Sequence, residues 1–309
     1  MVKFIRDYIV FTLIVIIGVF LMAFIYFKVN HLDIKYLSSP KISNSDSFND
    51  KISYLSKRTA ARNIALGSSL SLENLNSQSI IHYIGSTDYI NTASWGMTMK
   101  EDFILLKGYC NRAIPSRIFM SSDIVDFQLR SFEIDEQDMN NLLQSKKLAW
   151  LYLKHPDFRD YLETSNLYRD RKSTDTIKET LKYDDYGAIL YPYEYFHTPK
   201  LNVEAFIKGA PIPKEPMYQF LDSICAFSSR NNIKIYFFQN PLCESYTAVA
   251  RQKYYRDHAR RVAKILQSHN HFYLDPNDTT WADSLFMDGM HLNEKGSKLY
   301  TDYCLRKIQ

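Results

Sequence analysis

The sequence predicts an α/β protein: a parallel β-sheet layered between helices, preceded by a membrane-spanning helix and interrupted by a long insertion. Three observations predict it. Residues 8–27 form an uncharged run dominated by Ile, Val, Phe and Leu. Beyond residue 60, five short apolar runs alternate with amphipathic stretches, the rhythm of parallel strands joined by crossover helices. Between the third and fourth runs that rhythm lapses, over residues 124–215.

At 1.5 Å of rise per residue, a helix over 8–27 spans about 30 Å, the thickness of a bilayer's hydrocarbon core. Lys3 and Arg6 precede the run and Lys28 follows it. It ends Ala23-Phe24-Ile25-Tyr26-Phe27, without the small-residue pattern at which a signal peptide is cut. The expectation is therefore an uncleaved signal anchor, with the membrane contact made through residues 8–27. Basic residues mark the cytoplasmic side, so the N-terminus is expected there, although Lys28 and Lys35 lie on the far side. The rest of the chain is then periplasmic or extracellular. The expected organisation is a cytoplasmic tip and anchor over 1–28, a Ser-, Asn- and Lys-rich stalk over 29–60, and a folded domain over 61–309.

Within that domain, strands are expected over 63–66, 89–93, 117–120, 233–238 and 272–274. Helices are expected over 99–109, 216–230 and 248–267, and a last one from Asn293, a residue type that caps helices, to Leu305. Inside the insertion a charged helical pattern covers 133–154, and a Tyr-rich segment runs from Tyr183 to His197. Insertions of this length commonly form lids or substrate surfaces.

The 309 residues carry a net charge of +4, of which the first 28 residues hold +2. No Lys/Arg run forms a nucleic-acid footprint, so no nucleic-acid partner is expected. Cys110, Cys225, Cys243 and Cys304 form no Cys-x-x-Cys, and no Cys/His cluster has metal spacing. Neither metal nor cofactor is expected. The cysteines read as buried apolar residues, with one or two disulfides as the alternative in an oxidising compartment. His155, His258, His269 and His271 lack metal spacing, His197 reads as a surface residue with substrate contact as the alternative, and Asp275 before Pro276 reads as a turn residue with approach to the site as the alternative.

Two motifs carry chemistry. The first is Ile64-Ala65-Leu66-Gly67-Ser68-Ser69-Leu70-Ser71, a strand running into a tight turn. Such a turn lifts a hydroxyl out of the sheet and leaves backbone N–H groups facing it. The second is Asp288-Gly289-Met290-His291, followed by Leu292-Asn293-Glu294-Lys295-Gly296. An Asp three residues before a His lets the carboxylate hold Nδ1–H and frees Nε2 to take a proton.

Together, these motifs resemble those of the SGNH (GDSL-like) hydrolase family, over residues 60–123 and 230–309. Gly67-Ser68-Ser69-Leu70-Ser71 is similar to the family's first block, with Ser68 where the family usually has Asp. That substitution is familiar in a membrane-anchored acyltransferase branch, which includes the D-alanine transfer protein of the Dlt system and proteins of alginate and cellulose acetylation. The resemblance implies a three-layer α/β/α, flavodoxin-like sheet and a triad of Ser69, Asp288 and His291. It implies an oxyanion hole from the backbone of Ser69 and Gly96. The third strand ends Met120-Ser121-Ser122-Asp123, without the Asn that completes the family's hole. Either the two backbone groups act alone, or Ser122 or Asn240 substitutes. The implied reaction is O-acyl transfer, with acetyl the expected group, to a cell-surface or secreted polysaccharide through an acyl-enzyme on Ser69. A membrane-bound O-acyltransferase is the implied partner. The alternatives are a polysaccharide O-acetylesterase and a catalytically weak scaffold in a polysaccharide assembly complex.

Overall fold

Apolar side chains that alternate along a strand must be covered on both faces, and here two separate cores do so. Ile64, Ile118, Met120, Ile235 and Phe237 enter one core, and Ala65, Phe119 and Phe238 the other. The computed structural model describes residues 2–29, 40–128, 132–146, 151, 154, 183–192 and 212–308. These belong to two units, and in the first, Met1–Ser39 with Pro156–Asp175, the described part is one helix.

That helix, α1 (Val2–Val29), is largely exposed from Lys3 to Met22. Its segment Lys3–Met22 is long and apolar enough to cross a membrane.

The second unit holds α2 (Asp46–Ser56), β1 (Asn63–Ala65), α3 (Ser69–Asn74), α4 (Ser77–Ile84), β2 (Tyr89–Asn91), α5 (Met99–Cys110), β3 (Arg117–Ser122) and α6 (Glu136–Leu143). It continues with α7 (Glu215–Arg230), β4 (Lys234–Gln239), α8 (Lys253–Ser268), β5 (Phe272–Leu274) and α9 (Glu294–Arg306). The sheet order is β2-β1-β3-β4-β5, every pair parallel, with Ile64 beside both Ile90 and Ile118, and Ile118 beside Ile235. Residues of α2, α5, α6 and α7 fill the first core, while α4 and α9 fill the second, giving three layers. The chain leaves β1 for one neighbour and later returns to its other side at β3. The crevice at the carboxyl ends of these strands is the place where open α/β sheets build sites.

All five expected strands and the helices over 99–109 and 216–230 are present within a few residues. Asn293 caps α9, its side chain accepting the Gly296 N–H. Other expectations need correction. The expected stalk contains α2, capped by Ser45 and burying Phe48, Ile52 and Leu55. Those three residues recur at helical spacing inside a polar stretch, so the composition hid an amphipathic face. The helix expected over 248–267 is interrupted at Arg251 and Gln252, after a single turn at Thr247–Ala250. The pattern over 133–154 yields α6 and the helical positions Leu151 and Lys154, with 147–150, 152 and 153 outside the described residues.

Candidate active site

Gly67 starts the site. Its φ of +139° is a conformation that side-chain-bearing residues rarely adopt, and a Cβ there would run into the Ser71 side chain. The Ser71 hydroxyl lies 2.8 Å from Leu66 O and 2.9 Å from Ser121 O, and accepts the Ser121 N–H at 2.8 Å. It thereby pins the turn between the ends of β1 and β3. Ser68 caps α3 by accepting the Leu70 N–H at 3.2 Å. Ser69 follows as the first residue of α3, partly exposed at the carboxyl end of β1.

The late motif meets it there. His291 Nε2 lies 2.9 Å from Ser69 Oγ, and His291 Nδ1 lies 2.8 Å from Asp288 Oδ2. Asp288 also accepts the N–H groups of Met290 and His291, each at 2.8 Å, through Oδ1. Two asparagines fix the loop. Asn74 accepts the Leu292 N–H at 2.8 Å and donates to Met290 O at 3.0 Å, and Asn240 donates to the same carbonyl at 2.9 Å. The imidazole is thus held from α3, which also carries Ser69.

Burial alone would raise Asp288 and lower His291. The hydrogen bond and opposite charges between them win, keeping Asp288 below the ordinary carboxylate range and His291 above the ordinary imidazole value. Glu73 and Asp126 reinforce the rise at His291. With Nδ1–H donated to Asp288, Nε2 is the acceptor for the Ser69 hydroxyl hydrogen.

The expected oxyanion donors separate into two groups. Gly96 lies in the turn after β2 with φ +75°, and neither its N–H nor that of Ser69 has an acceptor among the described residues. The side-chain donors of Ser122 and Asn240 are engaged within the protein. The Ser122 hydroxyl donates to Asp126 Oδ2 at 2.8 Å, and the Asn240 amide donates to Met290 O and Pro241 O. Both residues are fully buried with their donors committed elsewhere.

Four residues escaped the sequence reading: Asn74, Asp126, Glu73 and Trp95. Asn74 has just been described. Asp126 is buried beside the Ser68 and Ser122 hydroxyls, and burial pushes its carboxyl up to about 6 against their hydrogen bonds. Glu73 sits one helical turn after Ser69 and is 1% exposed. Its Oε1 accepts from the half-buried Trp95 indole and, at 3.4 Å, from the Tyr191 hydroxyl. Burial raises the Glu73 carboxyl above the ordinary range, partly opposed by the charge of His291 and these hydrogen bonds. The available signal was the four-residue spacing from Ser69, which places both side chains on one helix face.

Part of the Tyr-rich segment docks here. Ile189 N–H donates to Leu72 O at 3.0 Å, Glu294 N–H donates to Tyr191 O at 2.8 Å, and buried Lys51 donates to Gly187 O at 2.6 Å. The remaining candidates serve structure. His258 shares a 2.8 Å hydrogen bond with the Tyr218 hydroxyl, His269 pairs with Asp222, and His271 lies 3.0 Å from Cys225 O. Asp275 accepts from Asn277 in a turn. His155 and His197 lie outside the described residues. The four cysteines are free thiols, and among the described residues no group of three or more His, Cys, Asp or Glu side chains is placed to hold a metal.

No family model and no curated protein matches the chain. Solved structures that align with it include an acetyl xylan esterase, 11% identical, covering 80% of this chain and 99% of that one with a TM-score of 0.42. Another is a carbohydrate acetylesterase family member from Sinorhizobium meliloti, 12% identical, covering 80% and 96% with a TM-score of 0.35. Overlaps this loose carry no argument about activity.

Proposed function

We propose that this chain is a serine-dependent acyl-transferring enzyme of SGNH type, and that it moves O-acyl groups, acetyl above all, through an acyl-enzyme on Ser69. One observation carries the reading: residue 69 and the pair 288 and 291, more than two hundred positions further along the chain, form an unbroken Ser–His–Asp hydrogen-bond relay.

In the first step His291 Nε2 takes the Ser69 proton as Oγ attacks the ester carbonyl, and Asp288 steadies the imidazolium. The N–H groups of Ser69 and Gly96 stabilise the oxyanion. Nε2 then returns the proton to the departing alkoxide. An incoming hydroxyl gives its proton to Nε2, attacks the acyl carbon and frees Ser69. One oxyanion donor is worth about 3–4 kcal/mol, so a hole of two backbone donors predicts slower turnover than one of three.

The substrate proposed is a cell-surface or secreted polysaccharide. Its support is the motif resemblance and the apolar α1, which would hold the enzyme at the envelope with its folded unit outside the cytoplasm. A membrane-bound O-acyltransferase as acyl supplier belongs to the same proposal. The esterase reading has its own support: the His291 side chain is 22% exposed, so water reaches the group that would activate it.

The test is Ser69→Ala in the full chain, assayed for release or transfer of acetate from an acetylated polysaccharide and from a small acetyl ester. The expected fall in kcat is roughly 10⁴–10⁶-fold with circular dichroism unchanged. A folded variant with wild-type turnover ends the reading of Ser69 as the nucleophile, and a folded wild type without turnover favours the scaffold.

A further inference from the structure

The site holds a second carboxyl that the triad does not use. Glu73 is buried to 1% exposure, and its two oxygens have different surroundings. Oε1 accepts from Trp95 and Tyr191. Oε2 has no hydrogen-bond partner among the described residues, and it lies 3.9 Å from His291 Nε2. Buried carboxylate oxygens are ordinarily satisfied. The separation is too long for a direct hydrogen bond but suits two hydrogen bonds through one shared oxygen, and Oε2 is closed to solvent in the resting site, where Ser69 Oγ lies against Nε2. If Glu73 served only to hold Trp95 and Tyr191, one carbonyl oxygen would be enough. The second oxygen is surplus to that task, and it faces the nitrogen that activates the incoming hydroxyl.

We propose that Glu73 Oε2 and His291 Nε2 together seat the acyl acceptor, a group with two hydrogens to give: a water, or two adjacent hydroxyls of a sugar. The inference rests on the acyl-enzyme reading and deepens it. With Ser69 Oγ acylated, Nε2 has lost its serine partner. The acceptor donates one hydrogen to Nε2 and the other to Oε2, which aims an oxygen lone pair at the acyl carbon. The carbon–oxygen bond forms as the first proton moves to Nε2. The bond to Oγ then breaks, and Nε2 returns that proton to Ser69. Glu73 keeps its charge throughout and is neither acylated nor consumed.

Glu73→Gln is the informative change, because an amide oxygen can still face Trp95 and Tyr191 while the acceptor at Oε2 becomes an NH₂ donor. Full-length wild type and Glu73→Gln, in detergent, are given 4-nitrophenyl acetate. Single-turnover nitrophenolate release reads acylation, and intact-protein mass spectrometry reads the fraction carrying acetyl on Ser69. The expectation is acylation within about twofold of wild type and deacylation slowed roughly tenfold to a hundredfold, so that acetyl-enzyme accumulates. Added methyl glucoside, but not propanol, should draw acetyl to itself in wild type if the sugar diol is the acceptor. Water alone resolves the intermediate if it is not.

Deacylation at the wild-type rate in Glu73→Gln overturns the assignment. Equal slowing of both steps also overturns it, because that is the mark of a merely structural role. Nitrophenolate release with acetyl on Ser69 in neither wild type nor Glu73→Gln removes the acyl-enzyme reading itself, and the seat with it. Should Glu73→Gln fail to fold, the wild-type pH profile decides: deacylation must show an acid-side ionisation that acylation lacks, and identical profiles contradict the proposal.

Discussion

At the scale of single residues, the central quantity is the proton on His291. Because Asp288 and the neighbouring carboxyls raise its pKa despite burial, the ring stays charged to a higher pH than a free imidazole. A charged ring cannot accept the Ser69 proton, so kcat/KM should rise with pH through an apparent ionisation above about 6.5. Asp288→Asn removes the main raising influence and the tautomer lock together. It should move that limb to lower pH while reducing kcat on the order of 10⁴-fold, as read from initial rates across pH. A limb that stays in place would mean another group is titrating. Ser69, Asp288 and His291 were legible because each sits in a short motif whose chemistry is local. Glu73, Trp95 and Asp126 were not, because their part depends on which atom each carboxyl oxygen or indole N–H faces.

At the scale of elements, α3 does more than present Ser69. Asn74, at its end, hydrogen-bonds the backbone on both sides of His291, so helix and loop hold each other. Asn74→Ala should therefore lower kcat roughly tenfold to a hundredfold through a misplaced imidazole, while labelling of folded enzyme by a slow, excess nucleophile trap persists. Steady-state kinetics beside a thermal melt separates this from unfolding. Lys51 of α2 is another tie, fully buried with its ammonium 4.0 Å from the Tyr183 ring centre and donating to Gly187 O and Asn91 O. Burial holds its pKa well below the ordinary lysine value, against the pull of Asp184. The unfolded chain therefore binds the proton more tightly, and stability gains as pH rises from the folded value toward about 10.4. Relative to Lys51→Met, wild type should become more stable over that range in urea melts at stepped pH. The strands were readable from runs of β-branched and aromatic residues between turn signals. Helix α2 was not, since three apolar positions in a polar segment look like a linker until the core they fill is known.

At the scale of the whole molecule, the sheet order places β1 between two neighbours reached in opposite directions, and the hydroxyl at its carboxyl end is where such a sheet opens a crevice. That order follows from the sequence only through the family resemblance, because strand patterns do not state their neighbours. The apolar helix α1 is read directly from composition. Removing residues 1–39 should shift the protein from the membrane fraction to the supernatant, with kcat on a small soluble ester unchanged. A truncated protein that stays with membranes would assign attachment to the folded unit instead. The measurement that bears most directly on the central claim is active-site labelling with a fluorophosphonate, followed by peptide mapping. The account predicts one phosphonyl group on Ser69 of the wild-type chain, absent in Ser69→Ala and strongly slowed in His291→Ala. A folded wild type that takes no label, or a label that persists elsewhere in Ser69→Ala, would contradict it.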